Sequence, residues 1–249
     1  MALETLPPQG KKRAMAKSVR SPNRLLASLS SADFELLRPH LKTIELVHGK
    51  VLFDAGDPIK RVYFPHSGII SLVVGLKGGR SIEVAMIGRD SVVGGSLALG
   101  SGFALNKGIV LAPGVASILD VNRLRKAAAT SVALRKTLFR HKRAMLAQAQ
   151  QSAACNVTHT VEARLSRWLL RSHDLLGGGT LPATQDFLAQ MLGVRRTSVS
   201  SIANILKKAG LIKYARGRIQ ITDLKGLKKA ACECYGAVKA KTDRLMNSG

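Results

Sequence analysis

The sequence predicts an α+β protein in three parts: an antiparallel, jelly-roll-like β-roll, a long helix suited to pairing with a second copy, and a C-terminal winged helix-turn-helix. Three observations carry this. Seven short β-type runs follow one another between Lys42 and Val121 with Gly, Asp or Pro between them. Neither Gly nor Pro occurs between Val115 and Leu176, so that span holds long helices. From Thr184 to Thr222 the chain reads as helix, glycine turn, helix and basic hairpin.

Composition sets the frame. Of 249 residues, 46% are apolar and 22% charged, which excludes collagen-like and wholly disordered chains. Lys and Arg number 39 against 15 Asp and Glu, for a net charge of +24. Residues 25–121 are close to neutral, whereas residues 122–249 carry most of the excess, so one half is built to face a polyanion. No run approaches the roughly 20 apolar residues that cross a bilayer, and the N-terminus lacks a signal peptide's apolar region. The sequence reading is therefore cytoplasmic, with no membrane partner.

Taken in order, residues 1–22 read as a disordered basic tail. Residues 23–130 form the roll, preceded by a short helix for which Asn23 and Ser31 are candidate caps, with Glu35 in a capping box and Pro39 as the stop. The runs KTIELV, KVLF, RVYF, GIISLVV, SIEVAMI, KGIVLA and VASILDV leave no room for crossover helices, so the sheet is antiparallel. Residues 131–158 form the dimerisation helix. Leu138, Met145 and Ser152, with Leu134, His141, Gln148 and Cys155, recur every seven residues as its pairing face, the alternative being a helix that lies on its own roll. Residues 159–235 form the winged helix-turn-helix, entered by a helix with Val161, Leu165, Trp168, Leu169 and Leu176 along one side, and residues 236–249 a C-terminal tail.

The chemistry concentrates after Gly177–Gly179. Thr184 caps a helix over Gln185–Leu192, Gly193 supplies the turn and Val194 plugs the angle. On the next helix Val199, Ile202, Ile205 and Leu206 face inward, leaving Arg195, Arg196, Thr197, Ser198, Ser200, Ser201 and Asn204 to face out. A small, polar, cationic face fits the roughly 12 Å major groove, where a guanidinium can grip guanine O6 and N7. We assign base readout to Arg195, Arg196, Thr197, Ser198, Ser200 and Ser201. Phosphate contacts fall to Thr184, Lys207, Lys208 and the wing residues Lys213, Arg216 and Arg218. Double-stranded DNA is thus the expected partner. Taken singly, each of these charges could be an ordinary solvated surface group.

With these features in this order, and with the segments EARLSRWLLRSHDLL and TQDFLAQMLGVRRTSVSSIANILKKAGLI, the chain resembles the CRP/FNR family of bacterial transcription regulators from about Asn23 to Asp223. ACECYG at 231–236 is similar to a variant seen in some members. The resemblance implies a sensing roll with a cyclic-nucleotide-binding-like fold, paired long helices in a homodimer, a palindromic DNA site and RNA polymerase as a further partner. Arg196 falls on the family's common base-reading arginine. Thr197 stands where many members have Glu, and Ser201 where some have a second Arg, so the preferred half-site differs.

The resemblance also locates a degenerate effector pocket at Gly94, Gly95, Ser96, Leu105, Asn106 and Lys107. Gly95 stands near the Glu that holds a ribose in cyclic-nucleotide binders, and Leu105–Asn106 near the Arg-Ser pair that holds the phosphate. Without a guanidinium a buried phosphate loses its bidentate partner, which disfavours cyclic AMP. Lys107 is the one candidate substitute charge. The effector is left unassigned.

Three cysteines form no disulfide framework and cannot supply four thiolates to an iron–sulfur cluster. Cys155 with His159, four apart on a helix, and Cys232 with Cys234 are two weak metal signals. Buried cysteine as a small hydrophobe is the commoner case, so neither a metal site nor a cofactor is expected. Phosphate-loop, dinucleotide, nucleophile-elbow and HExxH motifs are absent, and no catalytic residue is assigned. The competing reading is a ligand-binding signalling module whose basic half docks on a protein or an anionic surface.

Overall fold

The computed structural model describes residues 21–77, 81–100 and 102–247. Nearly all of the basic tail assigned to 1–22, and the Gly78–Gly79 turn, lie outside the described residues. The first helix, α1 (Arg24–Ala27), is capped by Asn23, whose side-chain oxygen accepts from the Leu26 amide at 3.1 Å. The Asn23 amide donates to the carbonyls of Pro65 and Ser91 at 2.8 and 2.9 Å. A fully buried amide is thereby satisfied, and the chain's entry is pinned to the roll. Helix α2 (Ser31–Leu37) is capped by Ser30, one residue earlier than expected. The Ser30 hydroxyl accepts from the Asp33 amide at 3.1 Å and donates to the Asp33 carboxylate at 2.8 Å, and Glu35 instead pairs with Arg38 at 2.7 Å on the surface.

Seven strands follow among the described residues: β1 (Lys42–Leu46), β2 (Val51–Phe53), β3 (Arg61–Pro65), β4 (Ile69–Gly75), β5 (Ser81–Ile87), β6 (Lys107–Ala112) and β7 (Gly114–Asp120). They form two antiparallel sheets, ordered β1-β7-β3 and β2-β6-β4-β5. Alternation along β3 divides two cores: Val62 and Phe64 face the flanking helices, while Tyr63 faces Ile70, Ile87 and Val110 inside the roll. Gly68, at φ +78, would carry a Cβ 2.7 Å from the Ala112 carbonyl oxygen. Glycine is required where these two backbones cross.

The stretch free of Gly and Pro is one strand and three helices, separated by side-chain caps. Asp120 caps α3 (Val121–Thr130), Ser131 caps α4 (Val132–Thr158) and Thr160 caps α5 (Val161–Leu176). Helix α4, about 40 Å long at 1.5 Å per residue, corrects one expectation. Leu134, Leu138 and His141 are buried against the chain's own roll and its flanking segments, with the His141 ring bonded to the Ser91 hydroxyl. Cys155 is likewise covered. The predicted pairing face is therefore internal. The face left open carries Val132, Phe139, Leu146 and Ala153, also at seven-residue steps; Phe139 and Leu146 are 55% and 58% exposed.

Beyond α5 come β8 (Thr180–Pro182), α6 (Gln185–Leu192), α7 (Arg196–Lys208), β9 (Ile212–Ala215), β10 (Arg218–Ile221) and α8 (Leu224–Ala230). The expected tail is another correction. Residues Cys234–Asn247 form helix α9, which returns along α4 and brings Met246 to the cluster around Leu134 and Leu138. Roll and C-terminal region share one apolar core, in which Ile69, Met86 and Leu111 pack with Leu165, Trp168 and Leu188.

Candidate nucleic-acid interface

Thr184 accepts from the Phe187 amide at 3.1 Å and starts α6. Gly193, at φ +66, ends it, and a Cβ there would lie 3.0 Å from Ile82 of β5, so the turn rests on the roll. Val199, Ala203 and Leu206, at spacings of four and three, bury α7 against α5 and α6. Ile205, expected inside, falls outside that stripe and is 48% exposed. This phase turns Arg195, Arg196, Thr197, Ser201 and Asn204 to solvent, with Ser198 half-buried.

The wing is a three-stranded sheet, β8-β10-β9, because β8 adds a strand that the sequence reading lacked. Its tip is a two-residue turn with Arg216 at φ +48 and Gly217 at φ +70, the signs a type I′ hairpin turn requires. Thr184, Arg196, Asn204, Lys207 and Arg216 together line one groove of about 400 Å³ between α6, α7 and the wing. Lys208, Lys213 and Arg218 are exposed but lie outside the lining of that groove.

Two α6 residues missed in the sequence hold the reading face. Asp186 is 3.4 Å from the Arg196 guanidinium, and Gln185 accepts a hydrogen bond from Ser200, whose hydroxyl also bonds the Arg196 carbonyl. Ser200 is thus engaged within the protein. The exposed Asp186–Arg196 pair is worth about 0–1 kcal/mol, against about 1–3 kcal/mol for a bidentate guanine contact. Arg196 can therefore leave it. The signal that could have found these two is their place in the first turn of α6, beside the start of α7.

Gly94, Ser96, Leu105 and Asn106 line a roll cavity of about 460 Å³ whose other walls include Phe53 and Phe103. Gly95 lies beneath it: a Cβ there would meet Val92 at 2.7 Å, leaving no room for a longer side chain. Lys107 does not line the cavity. Its ammonium pairs with Asp54 at 3.1 Å on the outside of the roll. Among the described residues no guanidinium lines this space, and Lys142 from α4 is its cation.

The region from α5 to α8, the head, meets the roll through polar contacts as well. Trp168 Nε1 donates to Glu83 at 2.7 Å and Arg171 pairs with Asp90 at 2.9 Å, while within the helix-turn-helix region Arg164 donates to the Leu192 carbonyl. Burial pushes the Glu83 carboxyl up to about 7, against the lowering influence of Ser71, Trp168, Arg167 and Arg171. On the far side of the head the two cysteine-bearing segments, read as separate pairs, converge: Cys155, His159, Cys232 and Cys234 lie side by side. Their separation in sequence concealed this.

Residues 163–230 match the Crp-like helix-turn-helix domain family. The transcriptional regulator SdrP of Thermus thermophilus is 34% identical over 104 residues, covering 39% of this chain and 52% of that protein. The match therefore spans about half the length of that curated relative. FixK2 of Bradyrhizobium japonicum has a similar structure, with TM-score 0.66 and 18% identity over 77% of this chain and 98% of its own. A CRP/FNR-family transcriptional regulator from Thermus thermophilus gives TM-score 0.63 and 24% identity over 76% and 98%. No helix among the described residues is long and apolar enough to cross a membrane.

Proposed function

With a Crp-like helix-turn-helix domain carried on the CRP/FNR fold as premise, we propose that this chain is a sequence-specific DNA-binding transcription regulator acting as a homodimer on a palindromic site. The carrying observation is the solvent-facing start of α7, where Arg195, Arg196, Thr197 and Ser201 stand clear beside a groove lined by Thr184, Lys207 and Arg216. In this reading α7 enters the major groove, Arg196 grips a guanine, and Thr184, Lys207, Lys208, Lys213, Arg216 and Arg218 neutralise phosphates. Two copies paired along α4 place two such heads one helical turn apart, about 34 Å. A signal at the roll acts by changing the packing between roll, α4 and head, and so the population of heads at that spacing. RNA polymerase is the further partner the family reading implies.

Selection from random DNA is expected to return a palindrome, and a selection that returns none overturns the proposal. Arg196→Ala is expected to cost about 1–3 kcal/mol per half-site and to relax preference at one base pair of each half-site. Equal loss on unrelated DNA would assign Arg196 to phosphate instead.

Arg216→Gly separates the wing's two roles. Relief of a left-handed backbone at a non-glycine residue is worth about 1–2 kcal/mol, offset by about 0.4–1 kcal/mol of extra freedom in the unfolded chain. Folding stability should therefore rise by about 0–1.6 kcal/mol, while affinity falls on all DNA alike and the salt slope flattens by about one charge per protomer. Thermal melts and salt titrations check both.

With Phe53 and Phe103 walls, no guanidinium among the described residues and Lys142 as its cation, the roll cavity suits a largely apolar effector with at most one anionic group. Calorimetric titration with cyclic AMP is expected to give no saturable heat at millimolar ligand.

A further inference from the structure

The end of α4 and the link between α8 and α9 meet behind the reading head. Cys155 stands in the last turns of α4 and His159 directly follows that helix, while Cys232 and Cys234 flank the start of α9. Each offers one donor atom, and all four donors lie within 4.8 Å of one another. Cys155 Sγ is 3.5 Å from Cys232 Sγ, and Cys234 Sγ is 3.7 Å from His159 Nδ1. The three thiols are unpaired and buried.

These lengths discriminate among uses. A disulfide needs sulfurs about 2.05 Å apart, so no covalent bond joins the pair. A tetrahedral ion with bonds of about 2.3 Å to sulfur and 2.0–2.1 Å to nitrogen has ligand–ligand edges of about 3.5–3.8 Å. The S–S edge is the longer, about 3.8 Å, and the S–N edge about 3.5 Å, and the two separations here lie within about 0.3 Å of them. Simple packing of small hydrophobes accounts for buried sulfur, but it does not account for an imidazole nitrogen turned into the same point.

The surroundings are those of a ligand set. His159 Nε2 lies 3.1 Å from the Glu233 carboxylate, which fixes the proton on Nε2 and leaves the Nδ1 lone pair toward the sulfurs. Thr158 Oγ1 lies 2.9 Å from the Ala154 carbonyl and 3.1 Å from Nδ1, so its single proton can turn to the carbonyl when the lone pair is taken by a metal. Gln151 Nε2 donates to Cys234 Sγ at 3.2 Å. Three thiolates, a neutral imidazole and a dication leave one negative charge, and Arg164 and Arg167 are the cations that interact with Cys155.

We propose that Cys155, His159, Cys232 and Cys234 bind one zinc ion that fastens the C-terminal end of the reading head to the end of the long helix. Binding exchanges three thiol protons for the dication, with no change of oxidation state. A closed set of three sulfurs and one nitrogen leaves no open position, so the role is structural. Glu233 acts as a positioning residue through His159. The metal site stands without the DNA reading; its influence on DNA affinity rests on that reading, since the ion would fix how the head sits on α4.

The test begins with the full chain, purified under reducing conditions and reconstituted with zinc sulfate. Elemental analysis is expected to give one zinc per chain. X-ray absorption should show three sulfurs at about 2.3 Å and one nitrogen at about 2.0–2.1 Å. The cobalt(II) form should show thiolate-to-cobalt charge transfer. Cys155→Ser and His159→Gln should lose the ion. Glu233→Gln, which keeps all four ligands and should fold, is expected to bind zinc about 10–100-fold more weakly. Substoichiometric zinc, below roughly one ion per ten chains after reconstitution, overturns the site, as does an iron–sulfur chromophore in its place. Full zinc loading with unchanged DNA affinity after zinc removal keeps the site and overturns its role in setting the head.

Discussion

Leu146→Asp, alone or with Phe139→Asp, is expected to give a folded monomer that binds the palindromic site about 10²–10⁴-fold more weakly than the parent, the range by which a second linked contact raises affinity. Val132, Phe139, Leu146 and Ala153 recur at seven-residue steps on the face of α4 left open. Burying a leucine or phenylalanine gains about 1.5–3 kcal/mol, and two copies bury each residue twice. A carboxylate in the paired face has no partner there and carries its full desolvation cost. In the lone chain it lies one turn from Lys142 and Arg143, so the fold itself is not strained. Light scattering reads the mass, and gel shift on whole and half sites reads the loss. A Leu146→Asp protein that remains a dimer moves the pairing surface elsewhere.

Glu83→Gln is expected to change the pH dependence of folding by up to about 3 kcal/mol, since each pKa unit is worth about 1.4 kcal/mol. Burial holds Glu83 at about 7, above its ordinary 4.5, so between those values the folded chain keeps a proton that the unfolded chain has lost. The stability this group contributes is complete below 4.5 and is lost as pH rises to about 7. His141 runs the other way. Burial pushes it down to about 4 from 6.5, opposed by the Asp90 charge, so its contribution is complete above 6.5 and is lost as pH falls to about 4. In the parent the two slopes oppose each other between about 4.5 and 6.5, which flattens the profile. The amide keeps the Trp168 and Ser71 hydrogen bonds without titrating, leaving His141 alone, so urea midpoints of the variant should climb from pH 4.5 to 6.5. Parallel profiles for the two proteins would reject this account.

Local chemistry makes much of the molecule legible. Seven strands are readable because each is a short β-type run bounded by Gly, Asp or Pro, and the Thr184 cap and Gly193 turn likewise announce themselves within a few residues. What stays hidden depends on distant neighbours. Two heptad series run along α4, and choosing the open one requires knowing that Val92 and Ser91 take Leu138 and His141. Ser131 and Thr160 cap the starts of α4 and α5 and break the span without Gly or Pro, so it looks continuous. Cys155 and Cys232 are 77 residues apart, and no pattern in either segment points to the other. On the reading face, the outward direction of Arg196 follows from the phase of α7, but its tie to Asp186 arises from the angle between two helices and not from spacing along one.

The apolar core that runs from Ile69, Met86 and Leu111 into Leu165, Trp168 and Leu188 has a practical result for chimeras. Grafting the C-terminal region of this chain onto the N-terminal half of another protein of this fold would leave a greasy seam unless the strand residues beneath it travel too. Expressed as an isolated fragment, that region should be sticky and prone to associate. Designers exchanging specificities among such proteins would do better to transplant the outward face of α7 and the hairpin tip, whose neighbours all come from the same segment.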